Sequence, residues 1–226
     1  EDNPALVNAA QDDTLTIIFC IDEQAFRTDK FGNQGMGALR WKFVQESLLD
    51  LQKGLAKHEQ TLNLLSGKPS GVLNDLLQAG RFDRVVRTRQ HNSNELLVWQ
   101  YLRDKFPAVL FDEYDSSTLY PMSAVCFTQS FPATFSQFRR SLDAVAFRKV
   151  VHAPERLPAP LEFKLDSLAL QTPSQSSIPH GGSSAGRKHV DAYFGTLAAS
   201  TYKETRNDLS GEHSSTGFSS WLARGC

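Results

Sequence analysis

The chain has 226 residues, 40% apolar and 22% charged, with a formal net charge of −1 and an isoelectric point near 6.7. That length and composition suit one large domain, or one domain with part of another. They exclude a global basic field, so any nucleic-acid contact has to come from a local patch. Three scattered cysteines (Cys20, Cys126, Cys226) and six dispersed histidines argue against a disulfide framework and a structural metal, and no apolar run reaches membrane-spanning length. Such cysteine usage suits the cytoplasm or another reducing intracellular compartment.

In chain order, Asp2-Asn3-Pro4 reads as an N-cap followed by proline at the first helical position, so a helix opens almost at once with no strand before it. Residues 14–22 form a β-branched apolar run ending in an acid, the pattern of a buried parallel strand. Leu39, Phe43, Leu48, Leu51 and Leu55 recur at helical spacing and predict a long amphipathic helix over 38–57. A short strand over 61–65 closes in the turn Ser66-Gly67-Lys68-Pro69. Val72, Leu73, Leu76 and Leu77 make the next helix, stopped by Gly80. Residues 84–88 read as a strand, 92–105 as a helix and 109–111 as another strand. This alternation predicts an α/β fold with a parallel sheet flanked by helices, whose ligands bind at the carboxyl ends of the strands.

Arg81, Arg84, Arg87 and Arg89 read as a solvated edge, with a phosphate or nucleic-acid patch as the alternative; Arg139, Arg140, Arg148 and Lys149 read the same way. Phe135, Phe138, Leu142 and Val145 form a helical stripe expected to be core rather than a stacking platform for bases. Trp41, Trp99 and Trp221 are expected in cores or interfaces. Half of the ten prolines fall between Pro154 and Pro179, and residues 171–186 are rich in Ser, Pro and Gly, as in a connecting segment. Val190, Tyr193, Phe194 and Leu197 then restore a helical period. The expected layout is an α/β domain over 1–125, a connection over 126–182 and the start of a helical domain over 183–226. The sequence opens on Glu rather than Met and ends as an apolar helix begins, so both ends read as those of a piece of a longer protein.

The last residues carry the most chemistry. Tyr202-Lys203-Glu204-Thr205-Arg206-Asn207 precedes Ser215-Thr216-Gly217-Phe218-Ser219-Ser220-Trp221-Leu222. Small hydroxyl residues opening an apolar helical pattern are what a helix N-terminus needs to hold a phosphate. The plainer alternative is a helix cap with a core phenylalanine.

Asp2-Asn3-Pro4-Ala5-Leu6, the Gly37–Phe43 segment GALRWKF, Ser117-Thr118-Leu119-Tyr120, the FPATFSQFRR run over 131–140, and Gly181-Gly182 with Ala185 occur in this order ahead of the two terminal segments. Together they resemble the photolyase/cryptochrome family, and the wording at 202–207 resembles its DASH cryptochrome branch. The resemblance covers roughly the first half of a family member, without its first strand. It implies a Rossmann-like α/β domain followed by the first helices of an all-α domain that holds FAD. It also implies a light-driven reaction, in which excited reduced flavin passes an electron to a cyclobutane pyrimidine dimer flipped out of DNA, single-stranded DNA for DASH members. The chemistry is then on the flavin, and no side chain here is expected to be catalytic. A folate antenna, methenyltetrahydrofolate in many DASH members, is implied for the α/β domain.

Carried over residue by residue, Tyr202 lies against the FAD phosphates, and Ser215, Thr216, Gly217, Phe218 and Ser219 form their cradle. Gly217 stands where relatives often carry a cation, Ser214 where DASH members often carry tyrosine, and Ser220 in place of a common proline; the loop 208–213 also needs one extra residue to align. Loss of the cation implies weaker flavin binding. Arg206 and Asn207 align near the DNA-binding mouth, with an ion pair from Arg206 to Glu204 or Asp208 as the alternative. Gln90, where relatives often place a glutamate, and Glu95 are the antenna candidates, although Asn92-Ser93-Asn94-Glu95 also forms a capping box. A blue-light sensor without repair, a non-catalytic folate- or nucleotide-binding module and a non-folding truncated product stay open. The chain alone is expected not to repair DNA and to leave Leu197, Trp221 and Leu222 exposed.

Overall fold

The computed structural model describes residues 2–125, 131–163, 165–170, 179–208, 211 and 214–225. Cys126, Cys226, the Ser/Pro stretch 171–178 and most of the loop 208–213 lie outside the described residues. The chain divides into two compact units, Glu1–Leu15 with Pro69–Leu161, and Thr16–Lys68 with Glu162–Cys226.

The first unit opens with helix α1 (Pro4–Ala9), whose N-cap Asn3 accepts the Leu6 N–H on its side chain at 3.0 Å, with proline at the first turn where a missing N–H costs nothing. Helix α3 (Pro69–Gln78) ends before Gly80, whose φ of +67° is the left-handed conformation that lets the chain turn off the helix. Strands β3 (Arg84–Thr88) and β4 (Leu110–Tyr114) pair in parallel, Arg84 opposite Leu110 through Thr88 opposite Tyr114. Parallel neighbours need a crossover, and helix α4 (Ser93–Lys105) provides it. Helix α1 lies against both strands and α3 against α4. Ala5, Ala9, Leu77, Trp99, Leu102 and Leu142 form the buried core.

Two expectations for this unit are corrected. The arginines on β3 are not a solvated edge. Arg84 donates Nε to Asp112 at 2.7 Å and Nη1 to Asp12 at 3.0 Å, forking across two carboxylates. Arg87 binds Glu113 at 2.6 Å and lays its guanidinium over the Trp99 ring, 4.0 Å from the centroid. Strand pairing decides this, because the register sets an acid on β4 within reach of each arginine. The second correction concerns helix α5 (Phe135–Ser141). It is too short to bury its whole stripe: Leu142 is buried, but Phe135 is 76% exposed.

Arg148 is likewise taken up, by a bidentate pair with Asp2, whose carboxylate also accepts the Val151 N–H at 2.9 Å. The Arg148 hydrogen bond, then the Val151 N–H, hold the Asp2 carboxyl down at about 2. A carboxyl depressed on folding contributes stability that is complete above its unfolded value and is lost as pH falls through its folded value. The window therefore runs from about pH 4 down to about 2. Thermal melts across it should slope less steeply in Asp2→Asn than in the unaltered chain; equal slopes would show that the pair does not couple to folding.

In the second unit, strands β1 (Ile17–Ile21) and β2 (Leu62–Ser66) pair in parallel, joined by helix α2 (Ala38–Ala56). The strand predicted over 14–22 is shorter than expected. Thr14 bridges Ala159, and the Leu15 N–H donates to the Ala159 carbonyl at 3.0 Å, so the run's first residues serve the other unit. On β2, the Leu64 N–H donates to Ser167 Oγ at 2.9 Å and its carbonyl accepts the Leu168 N–H at 2.8 Å. Phe43, Val44, Leu48, Leu55, Leu62, Leu64 and Leu65 are buried here.

Helix α6 (Ser183–Phe194) packs on α2 through two glycines. A Cβ at Gly181 would lie 2.1 Å from the Phe43 carbonyl oxygen, and one at Gly182 2.7 Å from Asp50 Cβ. Gly182, the N-cap, has no side chain to offer, and Asp50 of α2 supplies the cap, accepting Ser184 N–H at 3.0 Å and Ser184 Oγ–H at 2.8 Å. One turn earlier, Glu46 accepts the Gly181 N–H at 2.7 Å and pairs with His180 and Lys42. Burial pushes the Glu46 carboxyl up, but the Gly181 N–H, His180 and Lys42 together outweigh it and hold it below its ordinary value. Helices α7 (Ala198–Thr205) and α8 (Ser219–Leu222) follow.

The expected exposure of Leu197 and Leu222 is seen, at 80% and 75%; for Trp221 the core or interface placement holds and the exposure expected of the chain alone is overturned, since it is 6% exposed. Its indole N–H donates to the His180 carbonyl at 3.1 Å, its ring meets Phe43 at 5.9 Å, and Gly186 has no Cβ to obstruct it. The glycine groove between α2 and α6 provides these neighbours.

Candidate functional site

Residues 214–220 follow α7 and lead into α8 in the second unit. The Thr205 hydroxyl at the end of α7 donates to the Ser214 carbonyl at 3.4 Å, tying the helix that carries Tyr202 to the start of the segment. Tyr202 is 38% exposed. Ser215, Gly217 and Ser219 are exposed, and Thr216 and Phe218 half-buried. Phe218 anchors the segment in an aromatic cluster, with ring centroids 5.6 Å from His189, 5.6 Å from Tyr193 and 6.1 Å from Phe194. Gly217 has a φ of +64°, so a left-handed residue sits in mid-segment.

The hydrogen-bond accounting of this segment is unusual. Among the described residues, no acceptor faces the backbone N–H groups of residues 215–220, and the hydroxyls of Ser215, Thr216, Ser219 and Ser220 make no hydrogen bond. A consecutive run of backbone donors without protein partners, beside free hydroxyls, has the donor chemistry of an anion cradle. Helix α8 is a single turn, so the macrodipole expected from the sequence adds little, and the donors themselves carry the case. The residues therefore fit a phosphate group, and they do so without a cation: position 217 presents no side chain.

Arg206 is the C-cap of α7, and both it and Asn207 are exposed; no ion pair joins Arg206 to Glu204 or Asp208 among the described residues. Gln90 and Glu95 are in the first unit. Gln90 follows β3, is exposed, and donates its amide to the Thr88 carbonyl at 3.3 Å. Around it at the carboxyl ends of β3 and β4, Thr88 Oγ1 lies 3.3 Å from Ser116 Oγ, and Ser117 Oγ donates to the Arg89 carbonyl at 3.2 Å. Glu95 lies in the first turn of α4, where Asn92 caps by accepting the Asn94 N–H at 3.1 Å; the Glu95 carbonyl accepts Arg87 Nη1 at 3.2 Å. The structure thus groups Tyr202 and residues 215–219 in one unit with Arg206 and Asn207, and places Gln90 and Glu95 in the other. His189 was missed in the sequence. It touches the cradle directly, and a lone histidine on a helix carries no signal that would single it out.

The DNA photolyase family model matches residues 1–160. The Cryptochrome DASH of Idiomarina loihiensis is 33% identical over 231 residues, covering the whole of this chain and 51% of that protein. The chloroplastic/mitochondrial Cryptochrome DASH of Arabidopsis thaliana is 33% identical over 243 residues, covering 100% and 43%. Among solved structures, a Synechocystis cryptochrome superposes with a TM-score of 0.89 at 26% identity, over 100% of this chain and 50% of that one. An archaeal photolyase from Sulfolobus tokodaii, solved with two FAD molecules, shares the fold with a TM-score of 0.74 at 16% identity over 98% and 48%. The chain spans about half the length of the curated relatives it matches. No helix among the described residues is long and apolar enough to cross a membrane. With its two parallel βαβ layouts, its glycine-docked helix and this match over residues 1–160, the chain belongs to the DNA photolyase family.

Proposed function

We propose that this chain contributes an α/β domain (residues 1–125), a connection (126–182) and the leading wall of a flavin pocket (183–226) to a light-driven, FAD-dependent photolyase or cryptochrome of DASH type. The observation that carries the reading is the run of free donors over residues 215–220, set beside Tyr202's helix. In it, the N–H groups and the hydroxyls of Ser215, Thr216 and Ser219 hold the FAD pyrophosphate, Phe218 anchors the segment in the core, Gly217 gives it its turn, and Tyr202 lies against the phosphates. When bound, the reduced flavin supplies the electron that splits a cyclobutane pyrimidine dimer, with single-stranded DNA as the preferred substrate because flipping the lesion out costs least there. Arg206 and Asn207 would face the DNA, and Gln90 with Glu95 would border a folate antenna site. A reducing intracellular compartment suits this chemistry. These 226 residues alone should not repair DNA, since a cradle without the rest of a pocket neither positions a flavin ring nor excludes water.

The test is a visible absorption spectrum of the purified whole gene product beside the 226-residue chain, followed by illumination with a dimer-bearing oligonucleotide. Structured flavin bands and dimer loss in the whole product, with no dimer loss in the 226-residue chain, are expected. A well-folded whole product that takes up no flavin would refute the reading. Flavin without dimer loss would leave a blue-light sensor.

A further inference from the structure

His189, on α6, meets the donor run at Thr216. Its Nε2 lies 2.7 Å from the Thr216 carbonyl oxygen. Its ring stacks on Trp221, with centroids 4.8 Å apart and planes at 26°, and meets Phe218 edge-on. A carbonyl can only accept, so Nε2 carries the proton, and Nδ1 has no partner among the described residues. The same imidazole closes position 217 to a side chain: a Cβ there would lie 3.2 Å from Nε2, on a residue already at a φ of +64°.

The consequence lies in one peptide unit. The Thr216 carbonyl and the Gly217 N–H belong to the same planar trans peptide and point in opposite directions. Glycine makes rotation of that unit cheap. Rotated, it would set a carbonyl lone pair among the donors and repel an anion. With the carbonyl bonded to His189, the Gly217 N–H, anti to it across the trans peptide, is directed away from the imidazole. Trp221 and Phe218 fix the ring that makes this bond, so the lock is built from packing as well as from one hydrogen bond.

We propose that His189 is the positioning residue of the phosphate cradle: by donating Nε2–H to the Thr216 carbonyl it sets the 216–217 peptide so that a phosphorylated ligand meets only donors. This rests on the flavin reading given above, and it assigns to an imidazole on α6 an ordering that position 217, which has no side chain, cannot provide.

The test measures FAD and riboflavin affinity by flavin fluorescence on the whole gene product, unaltered and as His189→Leu and His189→Gln. Leucine fills the space without donating; glutamine restores a donor near the Nε2 position. FAD affinity should fall about tenfold in His189→Leu and return to within about threefold in His189→Gln, the effect of one ordering hydrogen bond. Riboflavin, which has no phosphate, should bind all three alike. Equal FAD affinity in His189→Leu overturns the inference alone, as does a parallel loss of FAD and riboflavin, which would mark His189 as structural only. Failure of the unaltered protein to bind any flavin overturns the flavin reading and the inference with it.

Discussion

Replacing Gly181 with alanine is expected to destabilise the second unit by roughly 3 kcal/mol, an overpacking cost at the upper end because the obstruction is backbone. The added Cβ would sit 2.1 Å from the Phe43 carbonyl oxygen and 2.6 Å from Ser47 Oγ, and that hydroxyl is itself bonded to the same carbonyl at 2.8 Å. Neither atom is the loose end of a flexible side chain, so α6 has to lift from α2. Lifting it also breaks the Gly181 N–H bond to Glu46 and draws Ser184 from Asp50. Gly54→Ala, on the same helix α2 with nothing within 4 Å of its added Cβ, should instead stabilise by up to about 1 kcal/mol. Chemical denaturation followed by tryptophan fluorescence separates the two. If both variants shift in the same direction, the two helices are not in contact at this glycine.

Trp221→Ala has the other large expected effect, roughly 3–5 kcal/mol lost from the packing of α6 and α8. Two rings and a glycine line the indole: His189 stacked, Phe43 edge-on, and Gly186, where a Cβ would come within 3.0 Å of the ring. Truncation opens that space and orphans the His180 carbonyl. Because the ring also backs His189, flavin retention should fall with stability. Trp221→Phe keeps one aromatic face but loses the N–H bond and one ring of the indole, so it should cost less than the alanine change, roughly 1–3 kcal/mol. Limited proteolysis around residues 196–220, with thermal melts of both variants, reads the difference. A Trp221→Ala chain that melts like the unaltered one would refute the buried placement.

The local code was legible wherever one residue type forces one geometry. Asn3-Pro4 opened α1, Gly80 ended α3, Asn92 capped α4, and the apolar period located α2 to within a residue at each end. β3 emerged over the residues predicted. Those features are set by backbone sterics and by short-range donors and acceptors, which sequence encodes directly. Partnerships were not legible. Nothing in the spacing of Arg84 and Arg87 says that β4 brings Asp112 and Glu113 opposite them, or that the residues around Thr14 and Leu15 pair with Ala159 while Ile17 to Ile21 pair with β2. Trp221 was expected in a core or interface, but which one was not legible, because its neighbours Phe43 and Gly186 lie far away in the chain, and nothing marked His189 until α6 set it against the Thr216 carbonyl. The sequence by itself determined the order of helices and strands, the family's motifs and the run of hydroxyl residues over 215–220. Only the tertiary structure decided which charges are paired, what buries Trp221 and which side chain meets the Thr216 carbonyl, because each depends on register and helix docking between segments that sequence distance keeps apart.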